Sequence, residues 1–283
     1  MFDLPNELVR IIIGYGTDIR QFILLNKHYN AIATPVLYKS VVFQDLPPLQ
    51  AFNQTLTERL ILRAHVTTLR FTFSSTKATY DSLVLREEIR HLLMLVPALT
   101  DLTLSLDQYI SEFLFEQPQY PFLLHRFCVE PLESDDFVRF LETQHQIETL
   151  HFKTYVGQKH HMPGIIPMLG RHVLPNLKEV EAIPTTIMNL VPNRPVSRVM
   201  VDRSWDHSFG MYDAIRRSSA PLAQFREYIT PQQGTWDTEI VRLLERLEHS
   251  KESLKDLMIW IVSNNHSNIL PMGSVLLLEA GRD

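Results

Sequence analysis

A single cysteine, Cys128, stands among 283 residues. No intrachain disulfide can close on it and no cysteine-built zinc site can assemble. Such usage fits a reducing compartment, so a cytoplasmic or nuclear location is expected. Glycine is also scarce, at nine residues, and the sequence holds no Gly-rich phosphate loop, nucleophile elbow or His-Glu-x-x-His pair. Nothing therefore points to catalysis, and no cofactor is expected. Lys and Arg (27) are outnumbered by Asp and Glu (32), for a net charge of −5, and the cations are not clustered. That removes the electrostatic footprint a nucleic acid requires. Long apolar runs are missing too: LVLREEIRHLLMLVPAL is broken by Arg86, Glu87, Glu88 and Arg90, well short of the roughly 20 apolar residues that span a bilayer. The N-terminus, with Asp3, Pro5 and Glu7, reads as a helix start and not as a secretory leader. The Asn-x-Ser/Thr matches at Asn53 and Asn265 are accordingly expected to be incidental.

What is abundant is apolar surface, at 45% of residues, enough for a substantial core. In MFDLPNELVRIII, Pro5 suits a first helical turn and Glu7 favours the positive end of the helix dipole. Leu8, Ile11, Ile12 and Tyr15 recur at helical spacing before Gly14 and Gly16 offer a stop. Thr17 or Asp18 can cap a second helix with Ile19, Phe22, Ile23 and Leu25 on one face. Tyr29 and Ile32 continue into a third, which Pro35 is expected to end. Three short helices in about 35 residues bury too little surface to be comfortable alone.

LPNELVRII followed by DIRQFILLNKHYNAIATPVLY resembles an F-box, through Leu4, Pro5, Glu7, Leu8, Ile12, Leu24, Leu25, Lys27, Tyr29, Ala33, Leu37 and Tyr38. The resemblance covers about the first 43 residues. Two features depart from the pattern: Gly16 falls near a position where the family tends to have leucine, and Tyr29 replaces the more usual tryptophan. The resemblance implies a three-helix module that docks on the S-phase-kinase-associated adaptor of cullin-RING ubiquitin ligases, with Leu4, Pro5, Leu8, Ile12, Leu24, Leu25 and Tyr29 as adaptor-binding residues. The alternative is a helical cap that seals a larger domain with the same apolar faces.

Beyond it, a template of apolar-x-x-apolar-x-apolar recurs as VTTLRF from Val66, LTDLTL from Leu99, LHRFCV from Leu124, IETLHF from Ile147, LKEVEA from Leu177, VSRVMV from Val196, LAQFRE from Leu222 and LKDLMI from Leu254. The match is weaker where Ala182 and Glu227 hold the last position. Intervals run from 19 residues (Leu177 to Val196) to 33 (Val66 to Leu99), straddling the roughly 20 to 29 residue period of leucine-rich repeats. Between these segments LVLREEIRHLLMLV, DDFVRFLETQ, YDAIRRSS and DTEIVRLLERLEHS carry helical periodicity. PPLQAFNQTLTERLILR reads as a linker helix, and SVLLL near the end as a last edge strand or cap. The combination resembles F-box proteins with leucine-rich repeats, without the asparagine ladder of regular repeats. The expected fold is α/β: an F-box module over 1–43, a linker helix over 44–64, and over 65–283 an irregular solenoid of parallel strands and outer helices. An ordinary α/β sheet is the alternative; strands whose apolar residues alternate with polar ones favour an array with one open face.

Alternation along the strands displays Arg70, Thr103, Arg126, His151, Glu181, Arg198, Arg226 and Met258 on that open face. Arg126, His151, Arg198 and Arg226 form a basic strip that, with Trp205 and Trp260 as aromatic anchors, is the expected target-binding surface; its natural complement is an acidic or phosphorylated segment. Glu130, Glu179, Glu181 and Asp202 stand close enough in sequence to neutralise the strip instead. His160 and His161, in VGQKHHMPG, read as a solvated loop and not as metal ligands with His151 or His172. Cys128, His145 and His151 read as strand or strand-flanking filler, since a catalytic Cys–His pair needs an exposed thiol beside a base. The expected role is that of a substrate receptor that performs no chemistry, its target unidentified; the rival readings are a plain repeat scaffold for protein interaction and, more remotely, a hydrolase built on the repeat loops.

Overall fold

All eight template segments form β-strands in the computed structural model, which describes residues 27–73, 82–106, 108–116, 119–130, 132, 134–152, 169–204, 209–229, 236–261 and 274–278. The chain forms two compact units, Met1–Leu124 and His125–Asp283.

In the first unit, helix α1 (Lys27–Lys39) runs directly into strand β1 (Ser40–Phe43). Helix α2 (Leu46–Glu58) and a 3-10 turn (Leu60–His65) lead to β2 (Thr68–Thr72), α3 (Ser82–Leu95) to β3 (Asp101–Ser105), and α4 (Gln108–Leu114) follows. Strands β1, β2 and β3 pair in parallel in chain order, with Val41 opposite Leu69 and Leu69 opposite Leu102. The core follows the template: Val66, Leu69, Phe71, Leu99, Leu102 and Leu104 are all buried. Phe43 stacks on Phe71 at 5.6 Å and meets Phe52 of α2 edge-on at 5.4 Å.

Three details differ from the expectation. SVVF, too short to show alternation, is a paired strand, so the stretch expected as a linker helix is the crossover between β1 and β2. Pro47 and Pro48 open that crossover in the first turn, where a missing N–H is harmless. Its end is fixed by Arg63, whose Nε donates to the Leu56 carbonyl at 2.8 Å. Pro35 does not end its helix but sits inside α1. The carbonyl it cannot bond belongs to Ala31, an exposed residue, so water can take the place of the lost donor.

The second unit comprises β4 (Arg126–Val129), α5 (Asp135–Thr143), β5 (Thr149–Phe152), β6 (Glu179–Ala182), α6 (Pro184–Leu190), β7 (Arg198–Ser204), α7 (Phe209–Arg216), β8 (Gln224–Ile229), α8 (Trp236–Leu247), β9 (Asp256–Ile261) and β10 (Ser274–Leu278). Strands β4 to β9 pair in parallel in chain order, and β10 lies antiparallel on β9 with Val275 opposite Trp260. Helix α5 begins where Ser134 accepts from the Phe137 amide and Asp135 and Asp136 face the positive helix end. Its Phe137 and Phe140 pack on Phe127 of β4 at 6.3 and 5.6 Å. The helices thus cover the template side of the strands.

A backbone ladder stands where regular repeats use asparagine. Just before each of β4 to β8 one carbonyl accepts two amides of the next repeat: His125 from Glu148 and Thr149, Glu148 from Lys178 and Glu179, Lys178 from Ser197 and Arg198, Ser197 from Ala223 and Gln224, Ala223 from Lys255 and Asp256. Side chains reinforce it at two turns, where the Asn176 amide donates to His145 O (3.0 Å) and the Ser253 hydroxyl to Leu222 O (2.8 Å). Buried turns must satisfy their polar backbone somewhere, and this ladder does so with any residue type. That is why it leaves no sequence signature.

Candidate interaction face

The parallel register turns the displayed side of the second unit into two rows. One runs Arg126, Thr149, Glu179, Arg198, Gln224, Asp256; the other Cys128, His151, Glu181, Met200, Arg226, Met258. Residues on a row stand on neighbouring strands, so their side chains meet.

The expected basic strip is neutralised by its own strands. Arg198 Nη2 lies 2.9 Å from Glu179 Oε2, and Arg226 Nη2 lies 3.1 Å from Asp256 Oδ2. His151 is only 8% exposed, with Nε2 3.0 Å from Glu179 Oε1 and Nδ1 3.1 Å from Glu181 Oε2. Glu179 is the hub, one oxygen to the imidazole and the other to the guanidinium. The His151 hydrogen bond, assisted by the positive charges of Arg198 and Arg126, holds its carboxyl below the usual value of 4.5, against the opposing effect of partial burial. Arg126 is exposed and forms no ion pair among the described residues. At the strand entrances, Lys178 Nζ pairs with Glu148 at 2.8 Å, which likewise lowers the Glu148 carboxyl.

The remaining expected residues fall in several places. Trp205 lies outside the described residues; Trp260 is on β9, opposite Tyr228 of β8. Of the adaptor set, Tyr29 is half-buried on α1, its ring edge-on to His28 at 5.6 Å, while Leu4, Pro5, Leu8, Ile12, Leu24 and Leu25 lie outside the described residues. Cys128 is buried, its Cα opposite that of His151, whose two ring nitrogens already face carboxylates. His145 and His172 are exposed, and His160 and His161 are outside the described residues. Asn53 is buried in α2, its amide donating to the Glu88 carbonyl at 2.9 Å, so no glycan can be carried there in the folded chain; Asn265 lies outside the described residues. Among the described residues no three His, Cys, Asp or Glu side chains are placed to hold a metal ion, and no helix is long and apolar enough to cross a membrane.

Two polar groups in the helix-side core were not foreseen. Glu227, the misfit in the template, is 2% exposed and accepts from the Tyr212 hydroxyl at 3.0 Å. Burial, and then the Glu227 carboxylate, push that hydroxyl up, while Arg246 lies over the Tyr212 ring at 5.1 Å. Arg194 is 1% exposed, and its guanidinium donates to the carbonyls of Val173 (2.9 Å), Leu190 (2.5 Å), Gly170 (2.8 Å) and Leu169 (3.2 Å). Only its position between Pro192 and Pro195 set it apart in the sequence.

The class defined by this architecture is an α/β repeat protein, solenoid-like within each unit, with one helix-covered side and one open side. Compared with known proteins, the chain matches no family model, no curated protein and no solved structure.

Proposed function

We propose that this protein is a non-catalytic receptor that brings two proteins together. Its F-box-like segment docks on the S-phase-kinase-associated adaptor and, through it, on a cullin. The open side of the strand array holds the protein to be ubiquitinated, raising its effective concentration beside the ubiquitin-charged enzyme. The observation that supports this best is the joining, in one chain, of the Leu-Pro-x-Glu-Leu motif at Leu4 to a parallel array whose displayed rows are partly exposed and carry charges of both signs. Rows of mixed charge suit protein recognition.

One feature favours a plain repeat scaffold instead. Lys39 ends α1 and Ser40 begins β1, so the last helix of the motif is built into the first unit as a cap would be. Adaptor capture separates the two readings. Replacing Leu8, Ile12 and Leu24 by Asp places unpaired charges in the docking face, and capture of the adaptor is expected to be lost. A wild-type chain that captures no adaptor leaves the scaffold as the answer, and a variant that keeps the wild-type circular dichroism and still captures the adaptor refutes docking through this segment.

A further inference from the structure

Arg216 and Arg217 are the chain's one pair of adjacent basic residues, and two serines follow them. The segment YDAIRRSS has helical periodicity, but α7 ends at Arg216, so Arg217, Ser218 and Ser219 lie in the turn that leads to β8. The turn treats its two hydroxyls differently. Ser218 is half-buried; its Oγ stands 2.9 Å from the Arg194 carbonyl and 2.7 Å from that of Val196, and it accepts from the Ala220 amide at 3.3 Å. Ser219 is exposed and is anchored through its backbone alone. Its amide donates to the Arg194 carbonyl at 2.9 Å, while its hydroxyl has no partner among the described residues. Arg216 and Arg217 are exposed as well. Arg216 leans toward Asp213 (3.2 Å) and His249 (3.3 Å), and Arg217 forms no ion pair among the described residues.

We propose that Ser219 is a phosphorylation site, the substrate of a serine kinase that selects arginine two and three residues before the acceptor. Such selection is charge pairing: acidic groups beside the kinase's active site bind the guanidinium forks and so set the register of the hydroxyl. Ser197 shows what the fold adds to the spacing. It too has an arginine three residues before it, but that is Arg194, 1% exposed and committed to four carbonyls. In the reaction Ser219 Oγ bonds to the γ-phosphorus of magnesium-bound ATP as the bond from that phosphorus to its bridging oxygen breaks; ADP leaves, and the hydroxyl proton goes to the kinase's catalytic aspartate. The phosphate then brings about two negative charges beside Arg217, which no acid among the described residues holds. The negative end of α7 opposes it weakly, since that effect fades within the last turn and Ser219 lies beyond it. The charge at the entrance to β8 is thereby set by phosphorylation. This inference does not depend on the receptor reading, because the turn is a property of the chain without adaptor or target.

The test incubates the folded full chain with magnesium, ATP and the catalytic subunit of a cyclic-AMP-dependent kinase, which reads arginines at this spacing, and locates phosphate by mass spectrometry. A single phosphate on Ser219 is expected, with Ser218 unmodified, and Ser219→Ala should take none in this turn. Arg217→Gln, folded by its circular dichroism, should lower kcat/KM for Ser219 about tenfold or more, as the loss of a charge-assisted hydrogen bond to the kinase does. No phosphate on Ser219 of the folded chain overturns the proposal, even where the urea-unfolded chain accepts it, since the turn would then hide the hydroxyl. Phosphate on Ser218 in place of Ser219 overturns it too, as does an Arg217→Gln chain modified as fast as the wild type. None of these outcomes bears on adaptor capture, which is read separately.

Discussion

Arg194 shows how one side chain can organise a turn. Its four carbonyl acceptors belong to residues 169, 170 and 173 and to the last turn of α6, where the negative helix end suits a cation. Burial pulls the guanidinium down from its usual value, yet it is held by backbone oxygens in place of a carboxylate. The same turn contains Leu174, fully buried with a φ of 55°, a strain of about 1 to 2 kcal/mol for a residue with a Cβ. Arg194→Met should destabilise the fold by about 3 kcal/mol, because several buried carbonyls lose their donor; urea titration reads this, and Arg194→Lys should recover less than half. Glu179 yields a prediction with a definite sign. Its carboxyl is lower in the folded chain than the usual 4.5. Its contribution is therefore fully present above that value and lost as pH falls through the folded one. Thermal unfolding of Glu179→Gln and wild type should differ at pH 5 and above and converge as the solution is acidified toward pH 3.

At the scale of elements, the strands are held from one side by apolar packing and from the other by charge pairs, and the two should respond differently to substitution. Leu102 and Leu150 are buried and are cross-strand neighbours of other template residues, Leu102 of Leu69 and Leu150 of Phe127 and Val180. Truncating either to alanine should cost about 2 to 5 kcal/mol, whereas Thr149→Ala, on the displayed row, should stay within about 0.5 kcal/mol. Denaturant midpoints for the three variants check this; equal effects would mean that the helix-covered side is not the core. The template found these strands because six residues suffice to show three apolar positions against alternating polar ones. β1 escaped because four residues do not. α4 and α6, seven residues each, are too short to establish a helical period.

On the scale of the whole molecule, the question is which side meets other proteins. Arg198 and Arg226 are paired with acids of adjacent strands, so they present dipoles of alternating sign and not a basic strip. Replacing Arg126, Arg198 and Arg226 together by Gln removes the cations without adding repulsion. On the receptor reading proposed above, proximity labelling in cells should then report a changed set of captured proteins, with adaptor capture retained. An unchanged set would place the target elsewhere. The identity of displayed residues was legible from alternation alone, but their pairing was not: His151 and Glu179 are 28 positions apart, and the contact exists only because β5 and β6 lie side by side in one register.

The sequence by itself determined the α/β class, the eight template strands and the side each residue takes, since these follow from periodicities of two and three to four residues that local geometry imposes. It also carried the N-terminal motif on which the adaptor reading rests. Tertiary structure decided what periodicity cannot encode. Parallel pairing made SVVF a strand and the expected linker a crossover. Packing buried Glu227 against Tyr212 and Arg194 among carbonyls. The strand register set Glu179 between an imidazole and a guanidinium. In each case the partner is distant along the chain, and only the folded chain brings it within hydrogen-bonding reach.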